Sequence, residues 1–191
     1  MKTIKEIDIT GKKVFVRVDF NVPLDDHQNI TDDTRIQAVL PTLRYILDND
    51  SKLIIASHLG RPDGKITPKM SLSPVAKRLG RLLKTKVVMA KDCIGSEVEK
   101  MVNKMKNGDV VLLENLRFHP EEQKNDEAFA KKMGKLCDVY INDAFGTAHR
   151  AHASTAIVAE FFPERKCYGL LLSSEIENIN KVLYLNTIGI R

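Results

Sequence analysis

The chain has no tryptophan, only 6% aromatic residues, and three cysteines that stand far apart, Cys93, Cys137 and Cys167. So few aromatics, not interleaved with basic residues, argue against a stacking platform for nucleic acid. The cysteines are odd in number and form no CxxC pair. Neither a metal site nor a redox motif is expected from them, and a reducing cytoplasm is the default setting. Apolar runs last only a few residues, too short to cross a membrane. The amino end, MKTIKEIDITGKK, lacks an apolar core and does not read as a secretory signal. No GxGxxG follows a strand. Gly60–Lys65 is one residue short of a P-loop and has Ile66 where Ser or Thr should stand. The chain also shows no internal repeat and no linker-like tract.

What is present is enough for a full core, with 43% hydrophobic residues in a chain of 191. The net charge is +5, so anionic partners fit: nucleic acid, anionic lipid, or a small phosphorylated or carboxylated ligand.

Val14–Pro23, VFVRVDFNVP, is the stretch around which the rest is arranged. In an extended strand Val14, Val16 and Val18 share one face, and Phe15, Arg17, Asp19 and Asn21 the other. Pro23 ends the ladder. Arg17 and Asp19 either pair with each other or form the floor of a polar site; this stretch alone leaves both open. Hydrophobic spacing then predicts helices over Thr34–Asn49, Leu72–Lys84, Ser96–Lys106, Asn125–Leu136, Ser154–Phe161 and Ser174–Leu185. Asp32 and Asp33 are placed to cap the first, Ser73 the second and Ser154 the fifth, while Ser174 and Glu177 have capping-box spacing. Pro41 should kink the first helix or start its regular part. Between the helices, Lys52–Ser57, Lys86–Ala90, Asp109–Glu114, Asp138–Asn142 and Cys167–Leu172 read as strands. LNTIGIR, at the carboxyl end, has no clear assignment. This alternation predicts one α/β domain with a mainly parallel six-stranded sheet and helices on both faces.

Ligands of open α/β sheets sit beyond the carboxyl ends of the strands. Four strand exits bring polar, mostly basic groups there: Arg17, Asp19 and Asn21; His58 and Arg61; Arg117 and His119; His149, Arg150 and His152. Arg35, at a helix start where the macrodipole disfavours a cation, is an anomaly. Several arginines around one crevice repel one another unless an anion neutralises them, so a small, multiply charged anion is implied. Asp19 and Asn21 suit its hydroxyls. The HxxH spacing of His149 and His152 lacks the further ligands a metal needs and reads as an anion-contact loop.

RVDFNVP, SHLGRP, LLENLRF and INDAFGTAHRAHAS, in this order and spacing, resemble the phosphoglycerate kinase family, specifically its N-terminal domain. The match runs to about Leu185. The resemblance implies a Rossmann-like three-layer domain with a basic patch for 3-phosphoglycerate or 1,3-bisphosphoglycerate. Its contacts are Asp19, Phe20, Asn21, Arg35, His58, Leu59, Gly60, Arg61, Arg117 and Arg150. Arg35 is the expected catalytic residue, set against the transferring phosphoryl group, which would account for its awkward position. The family's C-terminal domain, which holds ADP or ATP with magnesium, has no match here. The expectation is therefore a domain over residues 1–172, an interdomain helix and tail over 173–191, and a substrate-binding half that is inactive alone. A stand-alone anion-binding module without catalysis is the alternative. The full-length family enzyme is implied to be a cytoplasmic glycolytic monomer.

Overall fold

A computed structural model describes residues 2–147 and 151–188. Its strands are β1 (Lys13–Arg17), β2 (Lys52–Ala56), β3 (Val87–Met89), β4 (Val110–Leu112), β5 (Val139–Asn142) and β6 (Lys166–Tyr168). They form one six-stranded sheet in the order β3-β4-β2-β1-β5-β6. Every neighbouring pair is parallel, and Val16 of β1 lies between Ile55 of β2 and Ile141 of β5. The chain runs from β1 to its neighbour β2, out to the edge at β3 and back to β4 between them, then crosses to β5 and β6 on the other side of β1. That reversal opens a crevice at the carboxyl end of β1.

The helices are α1 (Thr34–Asp48), α2 (Ser73–Leu83), α3 (Ser96–Asn103), α4 (Pro120–Gln123), α5 (Glu127–Gly134) and α6 (Leu170–Ile188). The pleat sorts the core into two layers. Val14, Val16, Val18, Leu53 and Ile55 pack with Ile36, Leu43 and Ile46 of α1 and Val75 and Leu79 of α2. Phe15, Ile54, Val111 and Tyr140 face the other way, onto Val98 and Val102 of α3 and Phe129 and Met133 of α5. Residues buried to this degree each contribute about 1.5–3 kcal/mol of transfer free energy. This is the predicted fold class, with β1 covered on both faces.

Several local expectations change. Helix α1 continues through Pro41, whose ring lies on its exposed side. The bond it forgoes there is one that water can replace. Ser73 lies inside α2 rather than capping it. The Glu114 carboxylate, reaching over from the β4 exit, takes the Leu72 N–H (2.9 Å) and the Ser71 hydroxyl (2.8 Å) instead. Ser154 caps no helix, because its hydroxyl is drawn into a buried polar chain, and the following segment is a 3-10 turn over Ile157–Phe161. The apolar run Cys167–Leu172 divides between β6 and α6. Helix α6 starts before Ser174 because Thr42 Oγ1 accepts from the Leu170 N–H (2.9 Å) and Asp143 from the Leu172 N–H (2.9 Å). The Ser174–Glu177 pair therefore falls inside the helix. Among the described residues, no helix is long and apolar enough to cross a membrane.

Candidate functional site

Three polar strand exits converge, with Gly146 from beyond β5, on a pocket of about 260 Å³, lined by Asp19, Asn21, Arg35, His58, Gly60, Arg61, Arg117 and Gly146. β1 leads into Asp19 and Asn21, β2 into His58, Gly60 and Arg61, and β4 into Arg117. Three guanidiniums face one carboxylate, so the lining carries an excess of positive charge. A compact anion with several acceptor oxygens is the complement such a lining lacks.

The exits are tied to one another by short polar bonds. Asn21 Oδ1 accepts from the Gly60 N–H at 2.8 Å, and Arg117 Nη1 donates to the Gly60 carbonyl at 2.9 Å. Gly60 thus joins all three exits. Its φ of +63° is one that glycine adopts without strain, and a Cβ there would stand 2.9 Å from Met70 Sδ. Asn115 does the same work deeper down. Its Oδ1 accepts from the Leu59 and Arg117 N–H groups, and its Nδ2 donates to the Leu59 and Met70 carbonyls.

Arg17 and Asp19 do not pair with each other. Asp19 bonds Arg35, accepts from the Asn21 N–H at 3.1 Å, and lies 3.9 Å from His58 Nδ1. Arg17, wholly buried, turns inward: Nε donates to Ser154 Oγ at 2.8 Å, Nη1 meets the Val18 carbonyl, and Nη2 lies 3.3 Å from His58 Nδ1. Behind it, the fully buried Glu122 accepts from the Ser154 N–H (2.9 Å) and hydroxyl (2.5 Å). A buried chain therefore runs Glu122–Ser154–Arg17–His58 and ends at the pocket wall. Tyr140 joins it by donating to the Ser154 carbonyl at 2.8 Å.

Of the residues expected to bind substrate, Asp19, Asn21, Arg35, His58, Gly60, Arg61 and Arg117 line the pocket. Phe20 and Leu59 do not. Their side chains are buried in the core, the Phe20 N–H is held by Ser57 Oγ at 2.8 Å, and both Leu59 backbone groups go to Asn115. Arg150 and His149 lie outside the described residues. His119 leaves the expected constellation for Asp92, and the buried His152 lies beside Glu122, with Nδ1 4.0 Å from its carboxylate. Gly146 is a lining residue that sequence reasoning missed. A Cβ there would stand 2.7 Å from Asp19 Oδ2, so the close approach requires glycine. Its place just beyond a strand, within INDAFGTAHR, was the available signal.

A second hollow, about 160 Å³, shares Asp19, Arg35 and Gly146 with the pocket and reaches Asp143 and Leu171 at the start of α6. Burial raises the Asp143 carboxyl above its ordinary pKa, against the bonds from Thr42 and the Leu172 N–H. A larger cavity, about 610 Å³, lies between residues 27–33 and α2, and none of the polar strand-exit residues lines it. Size does not make it the site, because Asp33 already neutralises its Arg78 across 2.6 Å.

A model of the phosphoglycerate kinase family matches residues 4–187. The chain belongs to the phosphoglycerate kinase family. It is 56% identical over 185 residues to a phosphoglycerate kinase of Anaeromyxobacter sp. (strain Fw109-5), a match covering 96% of this chain and 46% of that protein. It is 58% identical over 175 residues to "Phosphoglycerate kinase 3, cytosolic" of Arabidopsis thaliana, covering 92% of this chain and 43% of the relative. The chain thus spans about half the length of the phosphoglycerate kinases it matches. Two solved phosphoglycerate kinases superpose on it. The Coxiella burnetii structure gives a TM-score of 0.82 at 39% identity, with 92% of this chain and 43% of that one covered. The Pyrococcus horikoshii structure gives 0.84 at 34% identity, covering 93% and 44%.

Proposed function

We propose that this chain supplies the substrate side of phosphoglycerate kinase chemistry, the reversible phosphoryl transfer between 1,3-bisphosphoglycerate and ADP that gives 3-phosphoglycerate and ATP. The observation that carries the reading is the convergence of Arg35, Arg61 and Arg117 with Asp19 and Asn21 on one pocket. Phosphoryl transfer asks a protein mainly for positioning and charge neutralisation. Arg61 and Arg117, with Arg150 as the family resemblance implies, hold the phosphate and carboxylate of the triose. Asn21 and Asp19 take its hydroxyl. Arg35, half exposed on the first turn of α1 and balanced by Asp19, is free to turn toward the transferring group. Magnesium and the nucleotide are expected on the family's other half, so these residues by themselves bind the triose without turning it over.

Calorimetric titration of the chain with 3-phosphoglycerate tests this. Saturable binding that weakens with salt, and that falls at least about tenfold in R61A, is the expected result. Equal affinity for sulfate and 3-phosphoglycerate would favour a general anion module. No heat from a chain whose circular dichroism is native would refute the assignment.

A further inference from the structure

The carboxyl edge of the sheet holds a second polar cluster, which shares no residue with the pocket. β3 and β4 run side by side, with Val88 opposite Val111. Beyond β3 the chain bends through Asp92 and Cys93; beyond β4 and the turn Leu116–Phe118 it reaches His119. Asp92 and His119, 27 residues apart in sequence, meet with Asp92 Oδ1 2.6 Å from His119 Nε2. The Cys93 thiol joins them, and one donor atom from each of the three side chains lies within 4.8 Å of the others. Among the described residues, this is the one set of three His, Cys, Asp or Glu side chains brought so close.

We propose that Asp92, Cys93 and His119 form a binding site for a thiophilic divalent cation of the zinc class, with solvent in the fourth position. Thiolate, imidazole and carboxylate are the donors such an ion takes, whereas magnesium and calcium prefer oxygen alone. Usual zinc bond lengths in a tetrahedron set ligand atoms about 3.4–3.6 Å apart. The Asp92–His119 pair must therefore open by somewhat under 1 Å, and no separation, all being within 4.8 Å, need close by more than about 1.3 Å. Asp92 can supply the movement, since its side chain is 48% exposed. The other two are held: Cys93 is wholly buried in the core, and the His119 ring packs against Phe129 with centroids 5.3 Å apart. The half-exposed carboxylate also marks the entry path and the face from which water completes the shell.

Charge balance fits as well. The Asp92 carboxylate and a Cys93 thiolate together neutralise a dication, with His119 neutral. Binding then exchanges one ion for the thiol proton and any proton on the imidazole, so affinity rises with pH. A nucleophilic or redox role for Cys93 fits less well, because an inaccessible thiol meets neither substrate nor oxidant. The site is independent of the ligand assigned to the pocket.

The test uses cobalt(II) as a spectroscopic stand-in, added to the reduced native chain. The expected result is a thiolate-to-cobalt charge-transfer band with intense visible ligand-field bands, saturating at one equivalent and abolished by zinc(II). C93S should lose the charge-transfer band. D92N, which keeps a side-chain oxygen to accept from the Cys93 N–H, should weaken binding at least about tenfold while keeping native circular dichroism. Absence of the band in the native chain, its survival in C93S, or unchanged affinity in D92N would each overturn the proposal.

Discussion

The pocket rim and the polar chain beneath it use the same residue types for opposite ends. Arg35 and Arg61 stand on the rim in contact with water. Arg17 and Glu122 are wholly buried, joined through Ser154. A buried charge is tolerated only when its hydrogen-bond capacity is met, so Arg17 and Glu122 fix shape. An exposed charge contributes little to stability but remains available to a ligand. Loss below should therefore collapse structure and affinity together, whereas loss above should remove affinity alone.

The sharpest break should come from Glu122→Ala. It leaves the Ser154 N–H and hydroxyl without their acceptor and cuts the buried chain that ends on Arg17. A loss of about 3 kcal/mol or more is expected in chemical denaturation. A loss under about 1 kcal/mol would mean that water replaces the carboxylate, and that the floor is less rigid than its bonds imply. Asn115→Ala comes next. It removes the clamp between the β2 and β4 exits and should cost about 2 kcal/mol. Because Arg117 hangs on that clamp, 3-phosphoglycerate affinity should fall as well. Arg61→Ala is the contrasting case. Its stability change should stay within about 0.5 kcal/mol, while affinity falls at least about tenfold. Equal penalties in both measurements would erase the distinction between rim and floor.

The rim was legible in the sequence and the floor was not, for a physical reason. Asp19, Asn21, His58, Arg61 and Arg117 each follow an apolar strand directly, so the parallel order of the strands is enough to collect them at one edge. For Arg17 the sequence left two readings open, a pair with Asp19 or the floor of a polar site, and pointed to none of its actual partners. Its partner Ser154 is 137 positions away, and Glu122 reaches Ser154 across 32. Nothing in the local pattern around Glu122 separates it from its half-buried neighbour Glu121 in PEEQ, since only the packed fold decides which of two adjacent acids is fully enclosed. Helix limits failed similarly. Ser73, Ser154 and Ser174 each had capping chemistry, but Glu114, Thr42 and Asp143 supplied the acceptors from distant parts of the chain. The split of Cys167–Leu172 between strand and helix is the same lesson, because an apolar run of that length suits either until tertiary acceptors choose.

Asp143 gives the smallest effect and the finest test, since it is a buried carboxylate that no cation among the described residues pairs with directly. It accepts from Thr42 Oγ1 at 2.6 Å and from the Leu172 N–H at 2.9 Å, and so anchors α6 to α1. Burial raises its pKa, so the folded chain holds the proton more tightly than the unfolded chain does. The stability this group contributes is greatest below its unfolded value, about 3.9, and is lost as pH rises through the higher folded value. Asn is nearly isosteric and carries no such dependence. Asp143→Asn should therefore gain stability relative to the unsubstituted chain as pH rises from about 4 to about 7, and lose that advantage toward the acid end. Paired denaturation curves across that range measure it. A difference flat with pH would mean that Thr42 and the α6 amide hold Asp143 as a carboxylate as readily as water does, and the floor would then extend to the root of α6.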